Sequence, residues 1–135
     1  MSKILGKYQH ARSENLDEYF KTLQLPYLVR KMINMSNPRI EVTNEGDKWI
    51  VMNVTMVRTQ VWEFTLGTEW EEVMPSGVKL KNTTTIEEDS MIIVSITEDG
   101  NRTVRRYDFT DDGVTLTLSH ARTDIIAKRH FKRIK

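Results

Sequence analysis

Cysteine is absent from this chain of 135 residues, which removes disulfide staples, thiol nucleophiles and thiolate metal sites together and argues against a secreted, disulfide-held fold. A dominant charge is absent too. Lys and Arg number 20 against 19 Asp and Glu, so a net charge of +1 offers no general field for nucleic acid or an anionic membrane, and any anion binding has to be local. No apolar run approaches the roughly 18 residues of a membrane span. The start, Met1 to Lys7, lacks the apolar stretch and small-residue cleavage site of a signal peptide, so the expectation is a soluble cytoplasmic protein. Catalytic signatures are missing as well. There is no Gly-rich phosphate loop and no nucleophile elbow, and His10, His120 and His130 stand apart without metal-ligand spacing. Glu71 and Glu72, adjacent on a strand, point to opposite faces and make no acid/base pair. Neither catalysis, a metal nor a cofactor is expected.

What is present is lopsided. Between Ser13 and Asn37 the residues Leu16, Tyr19, Phe20, Leu23, Leu28, Met32, Ile33 and Met35 recur at three- and four-residue steps, the mark of amphipathic helix. Ser13 or Asn15 can cap the first turn, where Asp17 and Glu18 complement the helix dipole. Pro26 splits the pattern into two short helices, and Pro38 ends the second, giving a helical hairpin over about 15–36. From Arg39 the period changes to two. Short runs such as Ile40–Val42, Trp49–Met52, Val61–Phe64, Met91–Val94, Val104–Tyr107 and Val114–Leu118 alternate with turn signals, among them Glu45-Gly46-Asp47 and Asp111-Asp112-Gly113. With Lys7–Gln9 before the helices and Ile125–Ile134 at the end, about ten strands are available. The length suits one domain over 1–135. A row of that many strands has to close or bury its edges, so the economical architecture is all-β, an antiparallel barrel capped by the helix pair.

The alternation has a peculiarity. Arg106 shares a face with Val104, and Arg129 shares one with Ala127 and Phe131. A small packed core does not tolerate unmatched guanidinium groups. Either these arginines face solvent or the interior is a wet cavity, which a barrel of eight to ten strands is wide enough to provide. Basic residues at the end of the chain, Lys128 to Lys135, alternate with inward residues and do not make a nucleic-acid surface.

The stretches Gly6-Lys7-Tyr8, Ser13-Glu14-Asn15-Leu16-Asp17-Glu18-Tyr19, Arg30-Lys31, Asn37-Pro38, Glu45-Gly46-Asp47 and Phe64-Thr65-Leu66-Gly67-Thr68-Glu69-Trp70-Glu71-Glu72 occur in an order and spacing that resembles the intracellular lipid-binding proteins, the fatty-acid-binding and cellular retinoid-binding group. The resemblance covers nearly the whole chain, and the block from Phe64 to Glu72 is its most specific part. It implies a ten-stranded up-and-down barrel (β-clam) lidded by a helix-turn-helix, with a cavity for a fatty acid or similar lipid.

In that family two arginines and a tyrosine near the C-terminal strands hold the ligand carboxylate. A count without gaps from the glutamate-rich block places the first arginine on Arg106, whereas counting back from Asp112-Gly113 points Tyr107 and Arg105 inward; the first is preferred. The closing arginine-x-tyrosine motif falls on Arg129-His130-Phe131, so the phenol hydroxyl is missing while two arginines can still pair with an anion. The resemblance further implies a cavity lined by Leu16, Phe20, Ile40, Thr55, Trp62 and Glu72, together with Met74, Ser95, Val104, Leu116, Leu118 and Phe131. A portal would form from Leu25, Tyr27, Arg30, Lys31 and Met32 with Val57, Arg58 and Ser76, and its basic rim could touch membranes transiently. The expected function is reversible carriage of a long-chain fatty acid. The alternatives are a retinoid or other lipid held differently, and a non-binding interaction protein on the same barrel.

Overall fold

The computed structural model describes residues 3–74 and 77–134. Strand β1 (Gly6–Glu14) leads into helices α1 (Leu16–Thr22) and α2 (Tyr27–Met35). Nine strands follow: β2 (Arg39–Glu45), β3 (Lys48–Val54), β4 (Thr59–Thr65), β5 (Trp70–Val73), β6 (Lys79–Glu87), β7 (Ser90–Thr97), β8 (Arg102–Phe109), β9 (Gly113–His120) and β10 (Thr123–Ile134). They form one sheet in the order β4-β3-β2-β1-β10-β9-β8-β7-β6-β5, with every neighbour antiparallel. Pairing of β1 with β10 curls the meander into a nearly closed barrel whose two free edges are β4 and β5. Aromatic rings bridge these edges instead of a ladder. Trp70 of β5 stacks on Phe64 of β4 at 5.1 Å and leans on Trp62 at 5.9 Å between ring centroids.

Period-two burial explains most strands. Ile40 and Val42, Trp49 and Val51, Trp62 and Phe64, Met91 and Ile93, Tyr107 and Phe109, Val114 and Leu116 all turn inward into one cluster with Phe131. Burying each such side chain is worth roughly 1.5–3 kcal/mol, enough to pin the register of every strand. Strand β6 is different. Its inward residues Asn82 and Thr84 are fully buried but polar, so hydrophobic alternation does not reveal it.

The helices cover one end of the barrel. Helix α1 buries Leu16 and Tyr19 against Ala127, with Phe20, Leu23 and Ile125 packed around them. Asn15 occupies the position before α1 but in left-handed geometry, and its amide donates to the Ile126 carbonyl (3.4 Å) instead of capping; Ser13 is bonded to His10. The expected side-chain cap is therefore not formed. Helix α2 begins after Pro26, as the break in the pattern implies, yet buries none of its residues. At the opposite end Arg133 lies over the Tyr8 ring at 4.8 Å and donates to the carbonyls of Lys3, Leu5, Thr110 and Asp111, tying both ends of the chain over the barrel floor.

Strand β9 starts at Gly113, where an added Cβ would meet the Phe131 carbonyl oxygen at 1.9 Å. Relief would require β9 and β10 to part at the strand carrying Arg129. Gly113→Ala should accordingly lose about 3 kcal/mol of stability, read as a lower urea midpoint at unchanged slope; an unaltered midpoint would contradict the close approach.

Candidate functional site

The interior of the barrel carries charge. Glu72, on β5, is 5% exposed, and its carboxylate accepts from Arg105 Nη2 of β8 at 2.7 Å and from Asn82 Nδ2 of β6 at 2.9 Å. Ser95 of β7 completes the cluster, donating to Asn82 Oδ1 (2.5 Å) and accepting from Arg105 Nη2 (3.2 Å). The Arg105 guanidinium lies over the Trp62 ring at 4.8 Å, which joins the network to the β4 edge. Every residue here is inward by the parity of its own strand. Tyr107, two residues beyond Arg105, is buried beside the pair, and desolvation pushes its phenol up to about 12. Tyr19 beneath α1 is raised to about 12 for the same reason.

The second buried guanidinium has no such partner. Arg129 is 8% exposed on the inner face of β10, between Ala127 and Phe131. Its Nη2 donates to the carbonyl and hydroxyl of Ser36 (3.1 and 3.3 Å), just beyond α2, while its Nε has no partner among the described residues. Desolvation lowers its pKa from the usual arginine value to about 10. Nearby, His10 stands edge-on to Phe131 at 5.5 Å and bonds Asn37 and Ser13. Burial lowers the His10 pKa, and the Arg129 charge acts in the same direction.

These positions sort the sequence expectations. Leu16, Phe20, Ile40, Trp62, Glu72, Ser95, Leu116, Leu118, Arg129 and Phe131 all lie inside the barrel or beneath α1. Arg106 does not: it is on the outer face, paired with Asp108 at 3.0 Å, and Val104 shares that outer face by parity. Arg105 takes the interior place, because in a strand a count that slips by one residue exchanges the two faces. Met74 lies past the end of β5 and is 37% exposed. Thr55 has inward parity but sits in the β3–β4 turn, where its hydroxyl bonds the Arg58 backbone. Sequence reasoning missed Asn82 and Asn53, both inward; polar residues on an inner face carry no hydrophobic signal.

At the helical end, Arg30 is a tie within the lid and not a free basic rim, since it pairs with Asp17 at 3.1 Å and donates to the Leu25 carbonyl at 2.8 Å. Tyr27, Leu28, Lys31 and Met32 are exposed on α2, as are Val57 and Arg58 in the β3–β4 turn. Leu28 and Met32 thus leave the packed helical stripe expected of them. Ser76 falls outside the described residues. Leu23 and Leu25 line a pocket of 630 Å³ beneath the α1–α2 turn, walled by Val78, Asn101, His120 and Arg122. A groove of 590 Å³ runs between the β4 and β5 edges. Among the described residues no cluster of His, Asp or Glu is arranged to hold a metal ion, and no helix is long and apolar enough to cross a membrane.

No family model matches the chain. Individual proteins do. It is 33% identical over 92 residues to fatty acid-binding protein homolog 5 of Caenorhabditis elegans, covering 68% of each. With cellular retinoic acid-binding protein 1 of Takifugu rubripes it shares 30% over 138 residues, 98% of this chain and 99% of that one. The solved structure of a fatty acid-binding protein from Drosophila melanogaster brain superposes with a TM-score of 0.84 at 30% identity, covering 96% of this chain and 98% of that one.

Two outcomes follow from the interior network. Glu72→Gln strands the Arg105 charge and should cost about 3 kcal/mol in urea unfolding, and combining it with Arg105→Met should return much of that loss; a neutral single substitution would contradict the pairing. Tyr107 and Tyr19 have folded pKa values above their unfolded ones, so the stability they contribute is full below about pH 10 and is lost as pH rises through about 12. Tyrosinate absorbance should show the Tyr107 and Tyr19 phenols appearing only as the barrel opens, with Tyr8 displaced in the same direction by its burial.

Proposed function

The chain belongs to the intracellular lipid-binding protein family, the fatty-acid-binding and cellular retinoid-binding group, and on that premise we propose that it reversibly carries one long-chain fatty acid inside the barrel with the carboxylate against Arg129. The observation that carries this reading is the imbalance between the two buried guanidinium groups. Arg105 is neutralised by Glu72, whereas among the described residues Arg129 meets the neutral oxygens of Ser36 and its Nε has no partner. A cation buried without a counterion is costly, and a ligand carboxylate supplies the missing charge and the missing acceptor together. The rest of the affinity comes from the chain. Removing an acyl chain from water is worth roughly 0.8 kcal/mol per methylene before ordering costs, and the aromatic and aliphatic wall around Phe109, Leu116 and Phe131 receives it.

The retinoid reading shares the same anion receptor. It is favoured by the ring-rich wall of Trp62, Tyr107, Phe109 and Phe131, and by the near full-length similarity to the retinoic acid-binding relative. We place entry at the lid: α2 is held by Arg30 and Asn34 on Asp17 with no buried side chain, so it can swing without unfolding the barrel. Its exposed Tyr27, Leu28, Met32 and Met35, with Lys31 beside them, suit brief contact with a membrane that supplies lipid. The proposed role is a cytoplasmic carrier, not a catalyst and not a nucleic-acid binder.

Arg129→Gln should weaken palmitic acid about ten- to a hundredfold in probe displacement while shifting hexadecanol little. The ligand-free variant should be at least as stable as the parent, because it sheds an uncompensated charge. Equal losses for acid and alcohol would remove Arg129 from the head-group role; retinoic acid in the same assay separates the two ligand classes.

A further inference from the structure

Three side-chain atoms are buried without a hydrogen-bond partner among the described residues, and all three are donors: Arg129 Nε, Trp62 Nε1 and Asn53 Nδ2. The first is answered by a carboxylate. The other two belong to a different wall. Trp62 pairs in register with Val51, and Asn53 with Gln60, so Trp62 and Asn53 are diagonal neighbours on β4 and β3, roughly 7–8 Å apart and both inward. Arg129 on β10 is four strands from Trp62 and three from Asn53, about 19 and 14 Å along the curved wall. One carboxylate cannot serve both places.

Three polar oxygens of the same interior are engaged by other donors. Glu72 Oε1 is taken by Arg105 and Asn82, Asn82 Oδ1 by Ser95, and Thr84 Oγ1 by the neighbouring inward indole, Trp70 Nε1, at 3.1 Å. The contrast between the indoles is informative: Trp70 is satisfied by the protein, Trp62 is not. A buried N–H left unpaired costs about 1–3 kcal/mol, and a plain hydrocarbon chain cannot relieve it. Nor does the wall call for a second anion, since the one cation over Trp62, Arg105, is already matched by Glu72. What fits is a neutral oxygen.

We infer that the preferred ligand is an oxygenated fatty acid, with a mid-chain ketone or hydroxyl accepting from Trp62 Nε1 and Asn53 Nδ2. The inference rests on the carboxylate reading of Arg129, which fixes one end of the chain so that the second oxygen falls partway along it. The donors make the barrel selective for oxidised over unmodified acyl chains.

The test compares octadecanoic acid with octadecanoic acids bearing a mid-chain ketone or hydroxyl, by calorimetric titration. The oxygenated acids should bind the parent protein about fivefold tighter, and the ratio should fall to about one in Trp62→Phe and in Asn53→Val. In the parent, the Trp62 indole N–H resonance, assigned by its nuclear Overhauser contacts with Trp70 and Val51, should move downfield with the ketone acid and not with the unmodified acid. Equal affinities in the parent, a ratio that persists in both variants, or an indole resonance indifferent to the ketone would each overturn the inference while leaving the carboxylate reading intact. Should no acid bind the parent, the carboxylate reading fails and this one with it. The resonance shift is read on the unaltered chain, so a variant that misfolds does not decide the matter.

Discussion

A guanidinium placed inside an apolar barrel must be matched, and the pairing of Arg105 with Glu72 is the constraint around which the rest of this interior is arranged. The pair spans from β5, a free edge, to β8, and Asn82 and Ser95 on the intervening strands are recruited to complete its hydrogen bonds. Trp62 brings the opposite free edge to the same point by lying beneath Arg105 and against Trp70. Edges β4 and β5 share no ladder, so this charged and aromatic seam does in side chains what backbone pairing does elsewhere in the sheet. Its polar cost is also why β6 has buried Asn and Thr where an ordinary strand would have Val or Ile.

Neutralising Arg105 has a second consequence. It leaves Arg129 as the interior charge without a carboxylate beside it, and so separates two roles that a pair of free arginines would share. One guanidinium organises the wall; the other is available. Phe131 fits this division. Without a hydroxyl at Phe131, Arg129 leans on Ser36 at the foot of α2, which couples this guanidinium to the helical end and not to the barrel floor. On the proposed reading, head-group binding and the position of α2 therefore act on the same segment.

The fold was legible from the sequence because period two and period 3.6 do not resemble each other, and the change at Arg39 falls after Pro38 has ended α2. Turn chemistry located the hairpins, as at Gly46, whose φ of 61° suits the β2–β3 turn. The Arg129 face was legible too, since Ala127 and Phe131 flank it on one strand. Arg106 was not. In β8 arginines occupy consecutive positions, and with a side-chain period of two nothing local says which is inside; only Glu72 across the barrel decides, and that is a long-range fact. The same applies to Asn53 and Asn82, whose burial is dictated by partners far along the chain. Leu28 and Met32 misled in the opposite sense, for an apolar helical stripe reads as core although α2 turns it to solvent.

That exposed stripe and the donor-rich interior bear on each other. Helix α2 buries no side chain fully and packs the half-buried Ile33 against the α1 cluster, so its closure depends largely on what lies beneath it. The N–H groups of Arg129, Trp62 and Asn53 have no acceptor among the described residues, so a ligand that displaces water from them without bringing an acceptor leaves them at a penalty. A ligand that brings oxygen to them relieves that penalty, and one that brings only methylenes relieves none of it. On the proposed carrier reading, selectivity then comes from whether a lipid brings oxygen to these donors, and a lightly packed α2 lets each lipid be tested for it.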